Sequence, residues 1–416
     1  MLFCHPAEGG IYFPSTQSSA RKVDPSFGGM TKNHSHYIMH FLLAPDKFRG
    51  SLSASEACAA MEKGIRLLLP DAQITSLPMA DGGEGTAELL TQTTQGSWHT
   101  TRVNNPLFQP IDAGFGFSAD GKTAFIDSVA AAGLALLNPQ ARNPLLTTTY
   151  GLGQLIQHVA MMGAQTVVLG LGGSATTDGG VGLAAALGWQ FLNASGDMFI
   201  PTGGTLTQIT RIIPPTTNLL TRFRVACDVQ NPLYGTTGAA LVFAPQKGAT
   251  PEQVDLLDAG LRHLDQVVQQ QLDLTNAAIP GAGAAGGLGY GLITFLGAQL
   301  EPGVDVVLDA VQFDKHLANA DVVLTGEGKL DSQTAQGKLI AGICRRANRA
   351  GVPVVALCGT LMLAPEAIKA IGLLAAFSVL NKPQLLEEAV LTAAADLRQT
   401  TFNVVQLLAN HANLRP

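Results

Sequence analysis

Charge is scarce in this chain. Asp, Glu, Lys and Arg make up 13% of its 416 residues, about half of the ~25% usual in soluble domains. The 46% hydrophobic content excludes disorder for most of the chain, because disorder needs high charge and few apolar residues. The net charge is −6 and no basic run with interleaved aromatics occurs, which excludes nucleic acid as an expected partner. Cysteine is equally sparse. Cys4, Cys58, Cys227, Cys344 and Cys358 form no CxxC pair and no zinc-like spacing. Their odd number and wide separation read as reduced thiols of a cytoplasmic protein. No apolar run approaches the ~18 residues of a membrane helix, so no membrane partner is expected. The first 37 residues lack the charged and apolar regions of a signal peptide. They carry Pro6, Pro14, Pro25, many Ser and Thr and no periodicity, and read as a disordered extension. Finally, no GxxxxGK[ST] motif occurs, so any nucleotide must be held by another phosphate cradle.

Glycine is what the chain has in excess: 46 residues, against an average near 7%. The densest cluster is Gly170-Leu171-Gly172-Gly173-Ser174-Ala175-Thr176-Thr177-Asp178-Gly179-Gly180. It follows the apolar strand candidate Thr166–Leu169 and precedes a small-residue helix candidate, Val181–Leu187. Glycine lets backbone come close to a ligand, and the N–H groups of a following helix favour an anion. A carboxylate inside such a loop suggests a phosphate that arrives with a divalent cation. Asp-Gly-Gly recurs at Asp81-Gly82-Gly83. A third segment, Thr325-Gly326-Glu327-Gly328-Lys329-Leu330-Asp331-Ser332, follows the apolar run Val322–Leu324 and reads as another strand-end loop. In open α/β sheets the ligand crevice lies beyond the carboxyl ends of the strands, where distant loops converge.

Local signals organise the rest. A strand at Tyr37–Ala44 is followed by Ser53-Ala54-Ser55-Glu56, a capping box opening a helix to about Leu69, and then by a strand at Ile74–Leu77. This βαβ unit predicts a parallel pair. Short alternating runs between Trp98 and Asp127 predict antiparallel strands. An amphipathic helix is expected over Pro251–Leu272, and an α/β rhythm returns after Gly286. We therefore expect an α/β fold in two parts. A larger domain comprises 38–100 plus 285–416, and a smaller α/β domain, 101–284, is inserted into it.

Gly281-Ala282-Gly283-Ala284-Ala285-Gly286 matches the dinucleotide fingerprint GxGxxG, which would make the chain a nicotinamide-dependent oxidoreductase. The match requires a strand immediately before it, and Pro280 and a polar stretch stand there instead. Asp46 and Lys47 at the end of the first strand read as ligand contacts or a solvated turn, Arg49 as a clamp for a carboxylate or phosphate or as a surface side chain, Asp228 at the end of another strand as a metal holder or a cap on Asn231-Pro232, and Lys247 as a loop lysine aimed at an anion. His158 and His263 lie on helical segments and read as structural.

Together these segments resemble the bacterial glycerate kinase family of the type unrelated to P-loop and actin-like kinases. The resemblance rests on Ala44–Ser53, Met79–Gly85, Gly172–Gly180, Ala226–Asp228, Pro245–Ala249, Pro280–Gly287 and Thr325–Gln333, in the family's order, and spans about residue 38 to the C-terminus. The family usually has Ser then Lys where this chain has Lys47 and Arg49, Asn at Thr177 and often Arg at Lys329. The resemblance implies a flavodoxin- or Rossmann-like domain plus an inserted one, with the active site in the cleft between them. It also implies phosphorylation of D-glycerate by ATP with Mg²⁺, most often at the 2-hydroxyl, with 3-phosphorylation the alternative. Asp178, Asp81, Lys47 and Arg49 would then serve catalysis. Gly172, Gly173, Ser174, Thr176, Gly283, Gly286, Glu327 and Lys329 would serve the nucleotide, and Asp178, Glu327 and Asp331 the metal. A monomer or homodimer is expected.

Overall fold

The computed structural model describes residues 38–80, 82–217, 219–335 and 339–412. The N-terminal extension, Asp81 and three residues after Ala335 thus lie outside the described residues.

The capping box forms as the sequence predicts. The Glu56 N–H donates to Ser53 Oγ, and the Ser53 N–H donates to Glu56 Oε2. The helix it opens, Ala54–Arg66, buries Ala57, Met61 and Ile65 against the strands on either side of it in sequence. Those strands, His40–Leu43 and Gln73–Ser76, pair in parallel. They belong to a five-stranded sheet whose remaining strands come from the far end of the chain: Val322–Leu330, Val354–Leu361 and Ala375–Ser378. All pairs in it are parallel. Counted along the chain the spatial order is 2-1-3-4-5, the flavodoxin-like doubly wound order. Its topological switch point lies between His40–Leu43 and Val322–Leu330.

A six-stranded sheet is built from the chain between these halves. Its spatial order is Gln299–Glu301, Arg222–Ala226, Thr166–Gly170, Thr123–Asp127, Pro110–Phe117 and Ser97–Asn104. The first four are parallel and the last three form the expected antiparallel meander. A third, small sheet between Gln190 and Ile213 carries no signal that the sequence reading identified. One hydrophobic cluster runs across both large sheets, joining Leu42, Leu77 and Val323 of one to Phe125, Val168 and Ala226 of the other. Among the described residues no helix is long and apolar enough to cross a membrane.

One expected loop is corrected. Residues 325–330 do not turn. They continue the Val322–Leu330 strand, because Thr325 to Leu330 pair in register with Ala356 to Leu361. The glycines at 326 and 328 let neighbours approach rather than bend the chain: a Cβ on Gly326 would lie 2.0 Å from the Leu357 carbonyl oxygen.

Candidate active site

Three strands of the six-stranded sheet end level with one another, with Asp127, Gly170 and Ala226 in register. Past these ends lies a cavity of about 220 Å³. Gly172, Gly173 and Ser174 line it on one side, with Gly82 and Gly83, Asp228 and Lys247 around the rest. The sequence expectation for Gly172, Gly173 and Ser174 places them where a ligand could reach them. This volume is below the ~300–1,000 Å³ of drug-sized ligand sites. It suits a phosphate or a small acid rather than a whole nucleotide.

Thr176, Gly283 and Gly286 stand differently. Thr176 is fully buried, its hydroxyl has no hydrogen-bond partner among the described residues, and its carbonyl accepts from Lys247 Nζ. A Cβ on Gly283 would lie 2.2 Å from the Pro232 carbonyl oxygen, and one on Gly286 1.9 Å from that of Thr176. Both glycines therefore serve close contact between protein segments, and none of the three lines the cavity. Their neighbours Ala284 and Ala285 do line it, Ala285 in a left-handed conformation at φ 52°. Turns, not a strand, precede Gly281, so the dinucleotide fingerprint lacks its context in the fold as in the sequence.

Asp178, which the sequence reading offered for catalysis and metal binding, is enclosed by protein donors. Its carboxylate is 0% exposed and lies outside the cavity lining. Oδ2 accepts from the Thr149 N–H at 2.7 Å and from Thr149 Oγ1 at 2.8 Å. The Gly182 N–H at 3.3 Å and Thr148 Oγ1 at 3.5 Å also donate to it, while Oδ1 accepts from the Gly180 N–H at 3.3 Å. Burial pushes its pKa up, and the Thr149, Gly180 and Gly182 donors pull it back. In this arrangement the carboxylate is directed at protein donors and not at the cavity. It joins the glycine-rich loop to the start of the Tyr150–Met161 helix.

The second group of predicted residues gathers at the switch point. The Asp46 N–H donates to the Gly326 carbonyl at 2.8 Å, and a Cβ on Gly328 would lie 3.2 Å from the Arg49 nitrogen. Lys47 and Arg49 thus run beside Glu327 and Lys329, which share one side of their strand by alternation. Thr334 ties the acids of this group together: its hydroxyl donates to Glu327 Oε1 at 2.6 Å and accepts from the Asp331 N–H at 3.3 Å. Lys329 pairs with Asp331 at 3.0 Å, but its side chain is 54% exposed. Such a pair is worth at most about 1 kcal/mol, so the lysine can exchange it for a ligand at small cost.

Met79 and residues 82–87 contact the two groups. The Met79 N–H donates to the Pro45 carbonyl at 3.0 Å, while Gly82 and Gly83 line the cavity. Asp127, which the sequence reading treated only as a strand end, anchors this segment. It accepts from the Gly85 N–H at 2.8 Å and the Ala87 N–H at 3.2 Å. Burial raises its pKa to about 6, against the pull of those donors and of the Lys47 charge. Asp228 does similar work on another wall, its Oδ1 accepting from the Gly303 N–H at 2.8 Å. Both acids end strands as Asp46 follows one, and that shared position is the signal that could have identified Asp127.

With this geometry in place, comparison with known proteins is specific. Residues 41–409 match the model of the "Glycerate kinase family". A glycerate kinase of Bacillus cereus is 42% identical over 369 residues, covering 88% of this chain and 97% of that protein. The glycerate 2-kinase of Escherichia coli K12 is 41% identical over 376 residues, covering 89% and 98%. A crystal structure from Salmonella typhimurium LT2 that bears the provisional name glycerate kinase 2 superposes with a TM-score of 0.82 at 40% identity, covering 91% of this chain and all of that one.

Proposed function

The chain belongs to the glycerate kinase family, and we propose that it transfers the γ-phosphoryl group of ATP to the 2-hydroxyl of D-glycerate, giving 2-phosphoglycerate. What supports this reading is that the Met79 N–H donates to the Pro45 carbonyl, next to the cation-and-acid group, while Gly82 and Gly83 line the glycine-rich cavity. Phosphoryl transfer asks a protein mainly for in-line positioning and charge neutralisation. The N–H groups of Gly172 and Gly173 and the Ser174 hydroxyl are suited to phosphate oxygens. Lys47, Arg49 and Lys329 are suited to the carboxylate of the acid, Arg49 through its planar fork. Of the two carboxylates that the sequence offered as proton acceptor, Asp178 is enclosed. The role therefore falls to Asp81, whose neighbours Gly82 and Gly83 line the cavity.

Among the described residues no group of three or more His, Cys, Asp or Glu could cage a metal ion. That donor set fits magnesium carried in on nucleotide phosphates, which needs only one or two protein carboxylates. Glu327 and Asp331, tied by Thr334, would supply them, and the ion would neutralise charge on the transferring group. We also read the two large sheets as two domains, the six-stranded one spanning about 97–301, with the site between them.

Release of ADP with D-glycerate, and phosphorus NMR of the product, test the reaction. A signal from 2-phosphoglycerate is expected. A 3-phosphoglycerate signal would reassign the acceptor hydroxyl, and no ADP release would end the proposal.

A pH effect follows from Asp127. Above pH 6 its ionised carboxylate accepts both N–H groups that hold residues 85–87. Below that pH a proton occupies one oxygen; burial makes this protonation compatible with the fold, but it changes the hydrogen bonds to the Gly85 and Ala87 N–H groups beside the cavity-lining Gly82 and Gly83. The expected kcat/KM falls by about tenfold per pH unit below ~6. Asp127→Asn should flatten this limb and lower the plateau; a wild-type profile level from pH 5 to 7 would contradict the anchoring role.

A further inference from the structure

Lys247 occupies a place where a lysine is costly. It closes the short turn Pro245–Lys247, and Gly248 follows in a left-handed conformation at φ 95°. The side chain is only 2% exposed, yet it ends at the cavity wall. Nζ donates to Ser174 Oγ at 2.9 Å and to the Thr176 carbonyl. Both partners belong to the glycine-rich loop, and neither carries charge. Among the described residues the carboxylate that acts on Lys247 through space is Asp178, itself enclosed by the Thr149, Gly180 and Gly182 donors. Among the described residues the other titratable groups at this cavity are Asp228, which accepts from the Gly303 N–H, and Cys227, whose thiol burial pushes up. The main chain of Arg142 packs against Gly248. Among the described residues a buried ammonium held by a hydroxyl and a carbonyl has no carboxylate in hydrogen-bond contact, and the cavity beside it is lined by Gly82, Gly83, Gly172 and Gly173, whose backbone a ligand can approach closely, and by Ser174. All of these suit an anionic oxygen.

Resting on the kinase reading above and deepening it, we propose that Lys247 and Ser174 form one receptor for the phosphates of the nucleotide, and that filling it draws a proton from solvent onto Lys247. Removal from water disfavours the charged amine, and burial accordingly lowers the Lys247 pKa to about 7, with Asp178 opposing the shift. At pH 8 the free enzyme therefore holds mostly the neutral amine, which can donate to the Thr176 carbonyl while accepting from the Ser174 hydroxyl. An arriving phosphate favours the ammonium and raises the pKa. Protons are taken up on binding above pH 7, whereas below pH 6 the site is already charged.

The test is calorimetry of a non-hydrolysable ATP analogue with Mg²⁺ binding to the full chain, in two buffers of different ionisation enthalpy. From a free-enzyme value of about 7, about 0.9 proton per nucleotide is expected at pH 8 and ~0.1 at pH 6. Lys247→Met should abolish the uptake and weaken binding at pH 6 by ~10-fold or more. Lys247→Arg, always charged, should keep affinity without uptake. Wild-type protein alone decides the matter if the variants fail to fold. Nucleotide binding with no uptake at pH 8 overturns the proposal, and so does uptake centred near pH 6, where Asp127 titrates. Uptake on adding D-glycerate without nucleotide would overturn the assignment to phosphate. An active kinase with no uptake overturns only this inference; a chain that binds no nucleotide at all removes the kinase reading too.

Discussion

Asp178→Ala is expected to lower stability by about 4 kcal/mol, since it strands several buried donors that now point at one carboxylate. The Thr149 N–H and hydroxyl and the Gly180 and Gly182 N–H groups all lose their acceptor, and none is near water. Lys247 also loses a carboxylate that favours its charge. Asp178→Asn should be milder, near 2 kcal/mol: its amide oxygen can serve the Thr149 pair, but its NH₂ then faces the Gly180 N–H, donor against donor. Thermal melts should show this order, with Asp178→Ala down by on the order of 10 °C. At low temperature, the folded fraction of Asp178→Asn should turn over within about tenfold of wild type. That outcome separates a positioning carboxylate from a general base, whose loss costs ~10²-fold or more in kcat. An unchanged melting temperature with a 10²-fold loss of kcat would return Asp178 to the chemistry.

What the sequence could reveal was set by whether a signal was local. The Ser53–Glu56 capping box, the Pro251–Leu272 helix and the order of the glycine-rich segments were legible, because each depends on residues a few positions apart. The strand character of 325–330 was not. Glycine and acid at those positions read as a loop, and only pairing with Val354–Leu361 makes them extended. The enclosure of Asp178 was not legible for a related reason. An aspartate in a Gly-rich loop looks alike on paper whether it faces a ligand or the Thr149 main chain, and the difference lies in a helix start some thirty residues earlier. Lys247 shows the converse. Its segment carried an ambiguous signal, and its burial against Ser174 comes entirely from a turn 73 residues away along the chain. Asp81 remained the sequence's own assignment, outside the described residues.

Gly286→Ala should be as damaging as losing a catalytic group, although Gly286 does not line the cavity. Its φ of 76° already costs an L-residue about 1–2 kcal/mol. The added methyl would also lie 1.9 Å from the Thr176 carbonyl oxygen and 2.8 Å from Thr177 Cα. These are backbone atoms, which cannot turn aside as a side chain can, so the loop itself must move. That same carbonyl accepts from Lys247, and the Gly179 N–H donates to the Gly286 carbonyl at 3.2 Å. The displacement therefore reaches two walls of the cavity at once. A loss of at least ~3 kcal/mol in stability is expected, together with a ~10²-fold fall in kcat/KM, as expected for a misplacement near 1 Å. Gly196→Ala supplies the control. It has a similar φ of 85°, with open space around the added methyl. It should show the left-handed cost alone and keep wild-type turnover. If both variants melt alike and turn over alike, the close packing of Gly286 on Thr176 does not shape the site.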